Sequence, residues 1–143
     1  MSQPQQDLKN HGRYVPLFHI VLAVLLAANF VHAARRLLPF SAESFYPMSL
    51  ATALLLMFWY VRAFPVTVQD RVIRLEERLR LEKLAPDVAA RMDEFTPQQV
   101  TALRFASDAE LPALARDVLA GKVTKPIDIK KAIKHWRADH LRA

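Results

Sequence analysis

Two apolar stretches fill much of the first half of the chain, and a helical alternation of apolar and polar positions takes over in the second. Tyr14 to Ala34 is a run of 21 residues without Asp, Glu, Lys or Arg, and Phe45 to Val61 is another of 17. At about 1.5 Å per helical residue these reach roughly 31 Å and roughly 26 Å, against a hydrocarbon core of about 30 Å. Arg62 can extend the shorter one by snorkelling to the headgroups. The pattern predicts a transmembrane helical hairpin over 14–64, a cytoplasmic segment over 1–13 and a cytoplasmic helical domain over 65–143.

Pro65 is expected to break or kink the chain as it leaves the bilayer. Thr67, with Asp70 three residues on, then opens a helix. In it Val68, Val72, Leu75 and Leu79 follow a 4-3-4 spacing, an apolar seam. Barely two heptads are present, too few to establish a coiled coil; a short dimer seam is one use, and packing against the following helices is the expected one. Asp70 with Arg74, Glu76 with Arg80 and Arg78 with Glu82 add i, i+4 pairs on the outer faces. Pro86 ends the element, and a short helical stretch runs from it to Phe95. Thr96-Pro97-Gln98-Gln99 combines an N-cap, an N1 proline and an N3 glutamine. Ser107-Asp108-Ala109-Glu110 repeats the capping logic for a helix that ends at Gly121. Val100, Leu103, Leu111, Leu114, Val118 and Leu119 are the expected core. Thr124 and Pro126 open a last helix, with Ile129, Ile133, Trp136 and His140 along one stripe. The fold class is all-α: a two-helix transmembrane hairpin, then a bundle of about four to five short helices.

Charge orients the hairpin. Lys9 and Arg13 precede the first span, Arg35 and Arg36 occupy the loop, and Arg62, Arg71, Arg74, Arg78, Arg80 and Lys83 follow the second. By the positive-inside rule both termini are cytoplasmic. The first span also resembles a signal peptide, with Lys9 and Arg13 as n-region and Val31-His32-Ala33 as cleavage motif. Its length favours a retained span. The net charge is +6, and Lys122 to Ala143 holds seven Lys/Arg against two Asp. There is no cysteine, which excludes disulfides and thiolate chemistry, and two glycines are too few for a phosphate-cradling loop.

Polar residues inside the spans are the first candidates for a site. Asn29, His32 and Arg36 share a helical face, and a symmetric hairpin sets Asn29 level with Thr52 and His32 level with Ser49. Ser49 and Ala53 form a small-xxx-small pair. Together they read as intramembrane packing, with a proton path or ligand pocket as the sharper alternative. His19 and His32 lie on roughly opposite faces of the span, so a bis-histidine haem would need a partner subunit. His135 and His140 are poorly spaced for zinc. No cofactor or metal is expected. Arg62, Arg71, Arg74 and Arg78 stand within reach of headgroups or a partner. Lys130, Lys131, Lys134 and Arg137 make the terminal helix cationic, with Trp136 on its apolar side. Glu76 and Glu77 point in different directions and form no carboxylate dyad. Ser107 reads as a cap rather than a nucleophile.

The segments Lys9-Asn10-His11 with Arg13-Tyr14, Gln69 to Arg80 (QDRVIRLEERLR), Ala102 to Pro112 (ALRFASDAELP) and Lys131 to Asp139 resemble an uncharacterised bacterial family of small two-span membrane proteins. The resemblance covers nearly the whole chain. It implies the hairpin-plus-helical-domain layout and a bacterial inner membrane, and no activity. No catalytic arrangement occurs among these residues, and two spans are too few for a transport pathway in one copy. The expected role is therefore non-enzymatic: a membrane-anchored interaction protein, an accessory or scaffold subunit of a larger inner-membrane complex. Its expected partners are membrane lipid and other protein subunits. The alternatives are a tethered binder of anionic lipid or nucleic acid through the basic terminal helix, or a homo-oligomer around a pore or cofactor. Nucleic acid is the least favoured partner, because no recognised motif accompanies the charge.

Overall fold

Pro16 lacks an N–H and so suits the first position of a helix, where that donor has no intrahelical partner. The helical run that follows begins as a π-helical turn, Leu17–Leu22, and continues as α1, Ala23–Arg35. The N–H groups of Phe18 and His19 both donate to Val15 O, at 3.1 and 2.9 Å. The computed structural model describes residues 7, 8, 10, 12 and 14–139. Lys9, Arg13 and His140, used in the orientation and stripe expectations, lie outside them. Among the described residues the protein is all-helical, with α2 at Ala42–Leu84, α3 at Pro86–Ala89, α4 at Pro97–Leu103, α5 at Leu111–Leu119 and α6 at Pro126–Ala132. A 3-10 turn, Met92–Glu94, separates α3 from α4.

Of the break or kink expected at Pro65, the break does not occur: α2 runs through both Pro47 and Pro65. A proline's own φ is helical, so its cost is one lost hydrogen bond and a ring clash. Long helical segments on either side outweigh that locally. Thr67 therefore opens nothing. The start of α2 is marked by a different residue. Ser41 Oγ accepts from Ser44 N at 3.1 Å while Ser44 Oγ accepts from Ser41 N at 2.9 Å.

Contacts divide the chain into two compact units: Tyr14–Val66, and a second that joins the residues before Tyr14 to those from Thr67 onward. In the first, Leu17–Arg35 and an apolar window of α2 are each long and apolar enough to cross a membrane. Only 6% of either window is buried by the chain itself. Phe18 of the first helix stacks on Phe58 of α2 at 4.7 Å between ring centroids, and Ala33 and Ala51 are the buried small residues.

The second unit has a continuous core. Ile73 and Leu81 of α2 meet Val88, Phe95, Val100, Leu103, Phe105, Leu111, Ala115, Val118 and Ile129. The expected core residues Val100, Leu103, Leu111, Leu114 and Val118 are buried, with Leu119 at the edge. Thr96 and Gln99 form the reciprocal capping box, at 3.2 and 2.9 Å. At the end of α5, Gly121 takes φ +74°, and Lys122 N and Gly121 N reach Asp117 O and Val118 O, both at 3.0 Å. That pairing is a Schellman cap.

Two expected elements differ. The Ser107 hydroxyl caps nothing. Its carbonyl accepts from Glu110 and Leu111, and α5 begins at Leu111 with no side-chain cap. The terminal helix ends at Ala132, and Ile133 is extended. From there the chain pairs back on the core: Ser107 N donates to His135 O at 3.1 Å and Arg137 N to Phe105 O at 2.8 Å. The Glu110 carboxylate accepts from the N–H groups of Lys134 and His135, both at 3.2 Å. These partners satisfy donors that a longer helix would have satisfied internally.

Candidate interaction surface

The second unit packs on the polar side of α2. Ile73, Glu77 and Leu81, spaced i, i+4, i+8, point inward and are buried. Two arginines on neighbouring faces clamp the helix to the loops. Arg74 donates to Met92 O at 3.0 Å, to Phe95 O at 3.3 Å and to Asp93 at 2.9 Å. Arg80 donates to Ala106 O at 2.6 Å and to the Asp108 carboxylate through Nε at 2.7 Å. The seam of Val68, Val72, Leu75 and Leu79 lies on the opposite side, 61, 49, 58 and 51% exposed. It was expected to pack against the following helices, and it does not. The reason is that Ile73 and Leu81, with these charge-assisted bonds, supply the packing on the other face.

Behind α2 lies a buried ion-pair network. Glu77 is 4% exposed and meets Arg80 Nη1 at 3.1 Å and Arg137 Nη1 at 3.5 Å. Burial pushes its carboxyl above the ordinary value of 4.5, and the two guanidinium groups pull the other way without cancelling the shift. Arg104, also buried, pairs with Asp139 at 3.1 Å and lies 4.4 Å from the Phe105 ring centroid. An open groove of about 750 Å³ runs between α2 and the terminal segment here. The charges along its lining balance, with Glu76, Glu77, Asp108 and Asp139 against Arg80, Lys83, Arg104 and Arg137 in number. The network fastens the extended terminal segment to α2, and Trp136 adds its ring 5.0 Å from that of Phe105.

This geometry redistributes the predicted contact residues. Trp136 and Arg137 serve the fold, and Lys130 sits with Nζ 5.5 Å from the Phe105 ring. Lys131 pairs loosely with Asp128 at 3.7 Å, and Lys134 lies beyond the end of α6. They form no single cationic helix face, because the helix that would align them stops at Ala132. Arg74 is committed to the loops. Arg78 pairs with Glu82 at 3.6 Å, Arg71 is exposed, and Arg62 belongs to the other unit. In that unit Asn29, His32, Ser49, Thr52 and Ala53 are all exposed. The Ser49 and Thr52 hydroxyls donate to Tyr46 O and Met48 O within their own helix, both at 2.9 Å. Small residues are buried one step away, at Ala33 and Ala51. Sequence reasoning missed the Glu77 network altogether. Its one legible trace was a glutamate in the apolar register of Ile73 and Leu81.

Fold and surface together define an all-helical protein with two bilayer-length helices and a separate helical unit whose outer stripe is apolar. The chain belongs to a family of unknown function, DUF6526, whose model matches residues 1–143. No curated protein and no solved structure matches it.

Proposed function

We propose that this protein is a membrane-anchored, non-enzymatic interaction subunit, an accessory or scaffold component of a larger bacterial inner-membrane complex. The two bilayer-length helices form an antiparallel hairpin, with both termini cytoplasmic and the helical unit beyond Thr67 at the cytoplasmic face. The observation that carries the reading is the exposed stripe of Val68, Val72, Leu75 and Leu79. Contiguous apolar surface on an otherwise closed unit marks a contact with another molecule. The Phe18–Phe58 stack supports the hairpin, and the excess of Arg and Lys after the second span supports the orientation.

Gentle detergent extraction from native membranes at low and high salt, with mass spectrometry of co-purifying chains, tests this. An apolar contact survives high salt, because screening acts on charges. The expected result is a stoichiometric partner retained at high salt and lost in a Val72→Asp, Leu75→Asp double variant. Both positions face solvent, so the variant keeps its core. A partner that dissociates with salt, or that persists in the double variant, overturns the assignment.

A further inference from the structure

We infer that the partner seated on this stripe is a second copy of the chain, with two α2 helices running parallel. The inference rests on the membrane-anchored interaction reading and names its partner. The first argument is the repeat. Val68, Val72, Leu75 and Leu79 occupy the 4-3-4 positions of an 11-residue period, since Val68 and Leu79 are 11 apart. Eleven residues over three turns is about 3.67 per turn, close to the natural winding of an α-helix. Two such helices keep a shared seam with very little supercoiling. The sequence carries the same spacing upstream at Met57, Val61 and Phe64, which are exposed in their own unit.

Charge complementarity supplies the second argument. With that period, Arg71 falls roughly 65° to one side of the stripe and Glu76 roughly 65° to the other. They are five residues apart, the separation that joins facing flanks of two parallel helices across a seam. Both are exposed, and neither forms an ion pair among the described residues, whereas the neighbouring Arg78 is taken by Glu82. In a parallel pair each Arg71 meets the other copy's Glu76. An antiparallel pair loses this match.

The third argument is confinement. Four side chains fall well short of the about 1,200 to 2,000 Å² that stable complexes of freely diffusing proteins bury. Two copies anchored in one bilayer share an orientation and a thin layer of volume, which raises their effective concentration. The parallel arrangement is the one that a common anchor imposes.

The chain has no cysteine, so single cysteines report directly on the seam. Full-length Val68→Cys, Val72→Cys, Leu75→Cys and Leu79→Cys variants are oxidised in native membranes, with the exposed Ala113→Cys as control. A disulfide needs Cα atoms within about 7 Å. The expected result is homodimer adducts several-fold above the control, strongest at Val68 and Leu79 in the centre of the stripe. Arg71→Glu reduces cross-linking at Leu79, and Arg71→Glu with Glu76→Arg restores it. Cross-linking no greater than the control, or unaffected by the charge swap, overturns the parallel pair. Adducts to a different chain overturn self-association and leave the interaction reading standing. Stripe cysteines that form no adduct of any mass, yet label freely with maleimide, overturn both.

Discussion

Glu77 concentrates the electrostatics of the helical unit in one side chain. It is buried beside Arg80 and Arg137, and desolvation still wins, so its carboxyl holds a proton more strongly folded than unfolded. A raised carboxylate pKa means that ionisation costs folded-state stability, so this contribution declines as pH climbs from about 4.5 through the raised value. Asp87 and Glu94 act in the opposite sense. Arg116 and Arg91 hold them below their usual values, and their contribution is lost as pH falls through that lower range. Glu77→Gln isolates the first effect. Amide exchange of α4 and α5 in the full-length protein should show the wild type losing stability relative to the variant as pH rises above 4.5. A relative gain with pH would mean that the arginines outweigh burial. The divergence of Glu76 from Glu77 was legible from the 100° helical step, and Glu76 is indeed exposed while Glu77 is buried. The pairing was not legible, because one of its partners, Arg137, lies 60 residues away.

Local capping signals marked some boundaries and misplaced others, as at Thr67 and Ser107, while boundaries set by distant partners left no local signal. The Thr96–Gln99 box and the Gly121 terminus are local chemistry and stand where the sequence puts them. The end of α6 is set by Ala106, Ser107 and Glu110, more than 20 residues upstream, and the spacing of Ile129, Ile133 and Trp136 concealed it. The α2 seam misled for a related reason. Hydrophobic periodicity identifies a face to be covered without saying whether the same chain covers it. The local caps give measurable expectations. Thr96→Ala should cost about 1 kcal/mol of stability in the helical unit. Gly121→Ala should cost about 1 to 2 kcal/mol, all of it from backbone conformation, since a Cβ there meets nothing within 4 Å. Gly121→Asn should cost less, because Asn tolerates the left-handed region. Equal losses for Ala and Asn in thermal unfolding would show that the glycine is needed for space rather than for φ.

At the scale of the whole molecule, the two apolar helices bear on where the protein resides, each being long and apolar enough to cross a membrane. Leu17, Val24 and Trp59 are 74, 61 and 69% exposed, and the described residues do not cover them. A bilayer does so at no cost to backbone hydrogen bonding, because both windows are helical throughout. Orientation is fixed during insertion, when the flanking charges are still on unfolded chain. In the proposed topology Arg74 and Arg80 therefore count toward the cytoplasmic side, even though folding later commits them to carbonyl and carboxylate partners. Against them stand Arg35 and Arg36 in the connection between the helices. The expectation is that Phe40→Cys, exposed in that connection, reacts with a membrane-impermeant maleimide on intact cells from which the outer membrane barrier has been removed. Ala113→Cys should react only after the inner membrane is opened. Replacing Arg35 and Arg36 by Gln should sharpen the contrast, since it removes the only positive charge opposing the arrangement. Reaction of Ala113→Cys on intact cells would place the helical unit outside, and with it any partner of the α2 stripe.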